Sequence, residues 1–281
     1  MLKLPWHPGR PALTRKASSI SSGFTRSDWR NLGQTDLTIS PIGLGTVKFG
    51  RNTGVKYPSS FNLPDDSQLD ALVQTAKELG INFLDTAPAY GVSETRIGET
   101  IEGDRKNWVI STKVGEQYEN GESRFDFSAE ATRRSVEHSL RCLKTDYLDI
   151  VLIHLDDEDE ITLRHSDVVG ELVKLKEMGM IRSIGASTKT VAGGLLALDL
   201  TDLVMVTYNP QDISQSTVVE RAHELGKGVI VKKALASGHA SNVRENLKFV
   251  LANRSFCSAI IGTINPQHLR QNVEDALTVL S

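Results

Sequence analysis

The sequence predicts an α/β fold, a (β/α)8 TIM barrel with an N-terminal β-hairpin, and three observations carry that expectation. Eight short apolar runs rich in Val and Ile recur beyond residue 40. Polar loops and amphipathic helical stretches alternate with them, the grammar of a parallel α/β fold. The repeat occupies about 240 residues, close to the ~250 typical of such a barrel.

The eight expected strands are "PIGLGTVKF" (41–49), "INFLDTA" (81–87), "WVISTKV" (108–114), "YLDIVLIHL" (147–155), "IRSIGAS" (181–187), "LVMVTYN" (203–209), "GVIVKKA" (228–234) and "SAIIGTI" (258–264). After the first, "DDSQLDALVQTAKELG" sets Leu69, Leu72, Val73, Ala76 and Leu79 on one helical stripe, with Asp66 or Ser67 as cap and Gly80 as stop. "SDVVGELVKLKEMG" repeats the pattern with Val168, Leu172 and Leu175 before Gly179. An open doubly wound sheet is the alternative, but it would usually carry G-x-G-x-x-G after its first strand, and "GLGTVKFG" lacks that spacing. Upstream, "RNLGQTDLTIS" (30–40) reads as a hairpin closing the barrel bottom. Arg51 to Pro64 is a long irregular loop after the first strand, where long loops are often functional.

Composition narrows the function classes. The formal charge is -3, so there is no global basic field for nucleic acid or an anionic membrane. The two cysteines, Cys142 and Cys257, are too few for a disulfide framework or a cysteine zinc site, and a reducing, cytoplasmic compartment fits best. No apolar run approaches the ~20 residues of a membrane span. Residues 1–29 read as a basic, poorly ordered leader, and 30–281 as one barrel domain. Organelle targeting by the leader is the lesser reading, because Pro5, Pro8 and Pro11 oppose a continuous amphipathic helix.

Barrels of this type keep their chemistry at the C-terminal strand ends. Asp85 ends the second expected strand, Lys113 the third and His154 the fourth, with Tyr90 on the loop past Asp85. Singly, such residues are more often caps, snorkelling amines or core histidines. Together they bring an acid, an amine, an imidazole and a phenol to one mouth. The set suits proton transfer to a carbonyl oxygen: a nearby ammonium favours the phenolate of a tyrosine whose free pKa is about 10, and a buried carboxylate keeps that ammonium charged. No acyl nucleophile is evident, and no metal site is expected. A hydrolase or lyase using Lys113 as a Schiff-base amine is a further reading.

"INFLDTAPAYGVSETRIGE", "STKVG" and "VLIH" resemble the signature segments of the aldo-keto reductases, and the resemblance runs from about Arg30 to the C-terminus. It implies an NADP-dependent reductase of aldehydes or ketones, with Tyr90 as general acid, Asp85 and Lys113 as its tuning pair and His154 as the orienting donor. It also implies a cofactor, NADPH by preference and NADH as the alternative, held by Gly45, Thr46, Asp85, Ser187, Thr188, Lys232, Leu235 and Ser237. Thr263, Asn265, His268, Gln271 and Asn272 would surround the adenosine phosphate. Independently, Asn265 and Pro266 are good helix-start chemistry, and a helix N-terminus after strand eight is a common phosphate site.

The chain departs from the family where His268 and Gly262 replace a common arginine and lysine, which weakens charge-assisted binding of a 2'-phosphate. Arg270 is a possible substitute. Thr188 stands for a usual asparagine, Met205 for a glutamine and Lys232 for the aromatic beneath the nicotinamide. Lys232 is expected either to disfavour the oxidised, cationic ring or to turn toward the pyrophosphate. Many relatives continue into a long C-terminal loop, so a more open pocket is expected here, walled by 51–64 and 117–127. The five acids Asp156 to Glu160 read as a solvated loop; facing the mouth, they would repel carboxylate substrates. The alternative within the resemblance is a cofactor-binding redox-sensor subunit with little turnover. A small carbonyl is the expected partner; the sequence is silent on oligomeric state.

Overall fold

The computed structural model describes residues 23–280. Its strands are β1 (Arg30–Asn31), β2 (Thr38–Ile39), β3 (Ile42–Gly45), β4 (Phe83–Asp85), β5 (Val109–Val114), β6 (Glu116–Glu119), β7 (Glu122–Phe125), β8 (Leu148–His154), β9 (Ile181–Ser187), β10 (Leu203–Thr207), β11 (Gly228–Lys232) and β12 (Ser258–Ile261). Eight of them close a parallel barrel in the order β3, β4, β5, β8, β9, β10, β11, β12, with β12 pairing back onto β3. This is the expected TIM-like barrel.

Strand alternation sorts the side chains into two cores. Leu84, Ile110, Val151, Ile153, Val204 and Val231 point outward into one apolar cluster with the helices. Their neighbours Phe83, Ile150, Leu152, Leu203, Met205 and Ile230 point inward and form a second. A strand buried on both faces needs an almost continuous apolar run, which is why eight such runs were visible in the sequence. Continuing the inward positions by two residues along β4, β5, β8 and β11 reaches Asp85, Lys113, His154 and Lys232. The polar residues therefore form the top layer of the inner core.

The antiparallel pair β1 and β2 is the expected hairpin. Leu32, Leu37 and Ile39 belong to the inner cluster, so the hairpin closes the barrel floor. Their burial is worth roughly 1.5–3 kcal/mol each against exposure, enough to hold a short two-stranded element that would be marginal alone. Arg30 ties it down by donating to the carbonyls of Phe256 at 2.6 Å and Leu251 at 3.1 Å.

Several local expectations shift. The first strand ends at Gly45, not 49, because Phe49 N donates to Thr46 O and buries Phe49 in a short helix, Val47–Gly50. The next helix, Asp66–Glu78, is capped by Asp65, one residue earlier than expected. Asp65 Oδ1 accepts from Gln68 N at 2.8 Å and Gln68 Oε1 accepts from Asp65 N at 3.0 Å, a reciprocal capping box. The helices stop before Gly80 and Gly179 as expected. The span 117–127, expected only as a pocket wall, is largely a second hairpin, β6 with β7. Of the basic leader, residues 23–29 are described and anchored at two points: Phe24 is buried, and Trp29 Nε1 donates to Gly80 O at 3.0 Å, while Thr25, Arg26 and Ser27 are exposed. Residues 1–22 lie outside the described residues. Among the described residues no helix is long and apolar enough to cross a membrane, and Cys142 and Cys257 are free.

Candidate active site

A cavity of about 490 Å³ opens at the C-terminal end of the barrel, within the size range of small-molecule sites. Asp85, Tyr90, Lys113 and His154 all line it. Lys113 Nζ donates to Asp85 Oδ1 at 2.8 Å and to Thr86 O at 2.7 Å, with both side chains of the ion pair almost wholly buried. Ser111 Oγ donates to the same carboxylate oxygen at 3.1 Å. Nζ lies 4.9 Å from the Tyr90 ring centroid, and the Tyr90 and His154 rings stand edge to face with centroids 6.4 Å apart.

Tyr90 is delivered by a single 3-10 turn, Pro88–Tyr90, that ends at Gly91 with φ 63°. A Cβ at Gly91 would fall 2.3 Å from Gly50 O, so glycine alone suits both the backbone angle and the space. The sequence "AYG" thus places the phenol by closing a turn against the Val47–Gly50 helix.

Lys113 acts on the phenol in the expected direction, toward phenolate, but burial raises Tyr90 more than Lys113 lowers it and holds it above its ordinary value. Tyr90 therefore carries its proton through neutral pH. Burial also opposes the charge on Lys113, but Asp85 outweighs it and the amine stays cationic.

Glu116, at the start of β6, escaped the sequence reading. Its Oε2 lies 2.8 Å from His154 Nδ1, a close charge contact bent away from a directed hydrogen bond, while Ser123 Oγ donates to Oε1 at 2.6 Å. Burial pushes His154 below its ordinary value, against the upward pull of Glu116. Burial also resists the charge on Glu116, but its contacts with His154 and Ser123 and the charge of Arg51 bring it down to about 2. At neutral pH the imidazole is neutral and the carboxylate charged. Linkage places the stability Glu116 contributes above its unfolded value of 4.5 and removes it as pH falls toward about 2. In Glu116→Gln the His154 pKa should fall further, read from the imidazole resonances in an NMR pH titration; an unmoved His154 would uncouple the pair.

The expected cofactor residues divide into two groups. Gly45, Thr46, Asp85, Ser187, Lys232, Leu235 and Ser237 line the cavity. Thr188 sits behind it, its carbonyl accepting from Lys232 Nζ at 2.8 Å, and Ser187 Oγ accepts from the same amine at 2.8 Å. The hydroxyl of Thr46 is committed to Asp85 O at 2.9 Å, so it ties β3 to β4. Thr263, Asn265, His268, Gln271 and Asn272 gather instead around the start of the helix Pro266–Leu280, outside the cavity lining. There Asn265 Oδ1 accepts from the N–H of Gln267 at 2.8 Å and of His268 at 3.4 Å, a helix cap. Arg270, on the same helix, forms a half-exposed ion pair with Glu78 at 3.0 Å.

The loop 51–64 contributes Arg51, Gly54, Val55, Lys56 and Tyr57 to the lining, and β7 contributes Phe125. A Cβ at Gly262 would lie 2.5 Å from Tyr57 Oη, so Tyr57 occupies the space a longer side chain at 262 would need. None of the five acids 156–160 lines the cavity. Asp159 is buried, accepting from the N–H of Lys189 and Thr190 at 2.8 Å each, and Asp157 pairs with Lys189 at 3.1 Å. The expected solvated loop is partly a helix start, and its charge is spent locally. Away from the cavity, Glu94, His138 and Cys142 bring ligating atoms within 4.8 Å of one another. Thr112 Oγ1 donates to Glu94 at 2.5 Å, fixing it to the strand that carries Lys113.

A closed parallel barrel with an acid, an amine, a phenol and an imidazole lining one mouth defines the class as a TIM-like barrel with a polar C-terminal site. The chain belongs to the Aldo/keto reductase family, whose model matches residues 41–254. It is 33% identical over 227 residues to an L-galactose dehydrogenase of Arabidopsis thaliana, covering 76% of this chain and 67% of that one. It is 34% identical over 171 residues to an NADH-specific methylglyoxal reductase of Escherichia coli, covering 56% of this chain and 50% of the relative. A solved aldo-keto reductase structure from Pseudomonas aeruginosa superposes with a TM-score of 0.85 at 46% identity, covering 91% of this chain and 96% of the other. An aldo-keto reductase from Bacillus halodurans in its holo form gives 0.76 at 25% identity, covering 88% and 90%.

Proposed function

We propose that this protein reduces an aldehyde or ketone to an alcohol with NAD(P)H. The observation that carries the reading is the buried Lys113–Asp85 pair set beneath a protonated Tyr90, with His154 edge-on to the same ring. The donor set fits a nicotinamide cofactor: Ser187 Oγ and the Lys232 amine line the same cavity as the proton donor, with Met205 and Ile260 as apolar lining beside them. Bound there, the cofactor would supply hydride to the carbonyl carbon. Tyr90 would give its proton to the developing alkoxide, Lys113 would stabilise the phenolate left behind, and Asp85 would keep Lys113 charged and oriented. His154 would fix the carbonyl oxygen opposite Tyr90.

NADPH is the preferred form in this reading, with His268 and Arg270, both in the first turns of the helix Pro266–Leu280, as the candidates to meet a 2'-phosphate. The family implies small carbonyl substrates, and the relatives named for L-galactose and methylglyoxal suggest sugars and small dicarbonyls as the first compounds to try. The test is a panel of such compounds followed by NADPH and NADH absorbance. Carbonyl-dependent loss of reduced cofactor is expected, fastest with NADPH; no turnover of any carbonyl with either form would leave a cofactor-binding subunit instead.

A further inference from the structure

Lys232 is an inward-facing amine at the top of β11 with no carboxylate partner among the described residues. Its Nζ donates only to neutral acceptors, Ser187 Oγ and Thr188 O, each at 2.8 Å. Lys113, the other amine at this level, is neutralised by Asp85. Around Lys232 the facing charges are Lys113, Lys189 and Lys233, all like-signed, with Asp85 the opposing one and His154 neutral. Its partner on β10 is Thr207, and the neighbouring cavity wall is Met205 and Ile260, none of them charged. Hydride delivery to a carbonyl held by Tyr90 and His154 would bring the nicotinamide ring into this same cavity, whose lining includes Ser187, Met205 and Lys232.

We infer that Lys232 discriminates the redox state of the nicotinamide by charge, accepting the neutral reduced ring and admitting the cationic oxidised ring only as Lys232 gives up its proton. This rests on the cofactor reading above and goes beyond it. Two unit positive charges in van der Waals contact repel by several kcal/mol even at an effective dielectric of about 20, more than a lysine near its titration midpoint needs to deprotonate. Burial first, then Lys233, Lys189 and Lys113, bring the Lys232 amine down to about 7, so the proton can leave at physiological pH. The cavity therefore couples binding of oxidised cofactor to release of a proton and favours turnover in the reducing direction.

The sign follows from linkage. If oxidised cofactor binds only the neutral amine, its affinity is weakened by a factor of 1 + 10^(7−pH), about 11 at pH ~6 and about 1.1 at pH ~8. The reduced ring carries no such penalty, and the phosphates are common to both forms, so the ratio of dissociation constants cancels their titration. Calorimetry with NADP+ and NADPH, in two buffers of different ionisation enthalpy, should show the oxidised-to-reduced Kd ratio falling about tenfold from pH ~6 to ~8, with about one proton released per NADP+ bound at the lower pH. In Lys232→Met the ratio should be small and flat with pH; in Lys232→Arg, which stays charged, it should be large and flat. If Lys232→Met does not fold, the arginine variant decides alone. A wild-type ratio that does not move with pH, or an arginine variant that tracks the wild type, overturns the inference while leaving cofactor binding intact. Failure of either cofactor form to bind at any pH overturns the cofactor reading itself.

Discussion

Tyr90→Phe is expected to lower carbonyl reduction by about 10²–10⁴-fold while NADPH affinity stays nearly unchanged. The substitution removes one oxygen from a ring whose packing against His154 and Lys113 it leaves in place. Burial keeps that oxygen protonated, so the phenol is loaded for donation across the neutral range. On the proposed mechanism the same shift would make the reverse reaction harder, because alcohol oxidation would need the phenolate as base. Steady-state rates beside a cofactor titration separate the two functions, and equal rates in variant and parent would remove Tyr90 from the chemistry.

Lys113→Met should damage both stability and turnover. The variant strands Asp85, almost fully buried, with only Ser111 Oγ for company. Leaving one member of a buried pair uncompensated typically costs about 3–5 kcal/mol. Denaturant unfolding should show that loss, and reduction should fall by at least about the factor expected of a lost acid–base group. The double variant Asp85→Asn, Lys113→Met should recover much of the stability, because no lone charge remains buried, and none of the activity. Recovery of activity in the double variant would show that the pair is a scaffold rather than the tuner of Tyr90.

The main fold signal was legible because a strand with two buried faces must be apolar throughout, and eight such runs in "PIGLGTVKF" to "SAIIGTI" admit few arrangements. Asp85, Lys113 and His154 stood out for the same reason: each interrupts an apolar run at its end. Glu116 gave no such signal, since it follows its run instead of interrupting it, and only the hairpin that folds back over the mouth brings it to His154. Tyr57 was hidden inside a loop whose irregular sequence fixes no direction. The cap at Asp65 was missed by one residue, as neighbouring acids compete for that role and geometry alone decides. The raised Tyr90 pKa depends on desolvation, a property of the surroundings that no single motif encodes.

Above the hairpin of Leu32, Leu37 and Ile39, the packed side chains from Phe83 to Ile230 fill the barrel, so the cavity at its C-terminal end is a well that does not continue through it. Two molecules that must meet inside such a well cannot enter from opposite ends, and water displaced by the first must leave past the route taken by the second. Whichever ligand reaches deeper is obliged to arrive first and depart last. On the proposed reading, the packed interior would thereby impose an order on traffic at the mouth, and kinetic patterns of product inhibition would carry the imprint of aliphatic side chains that never touch a reacting atom.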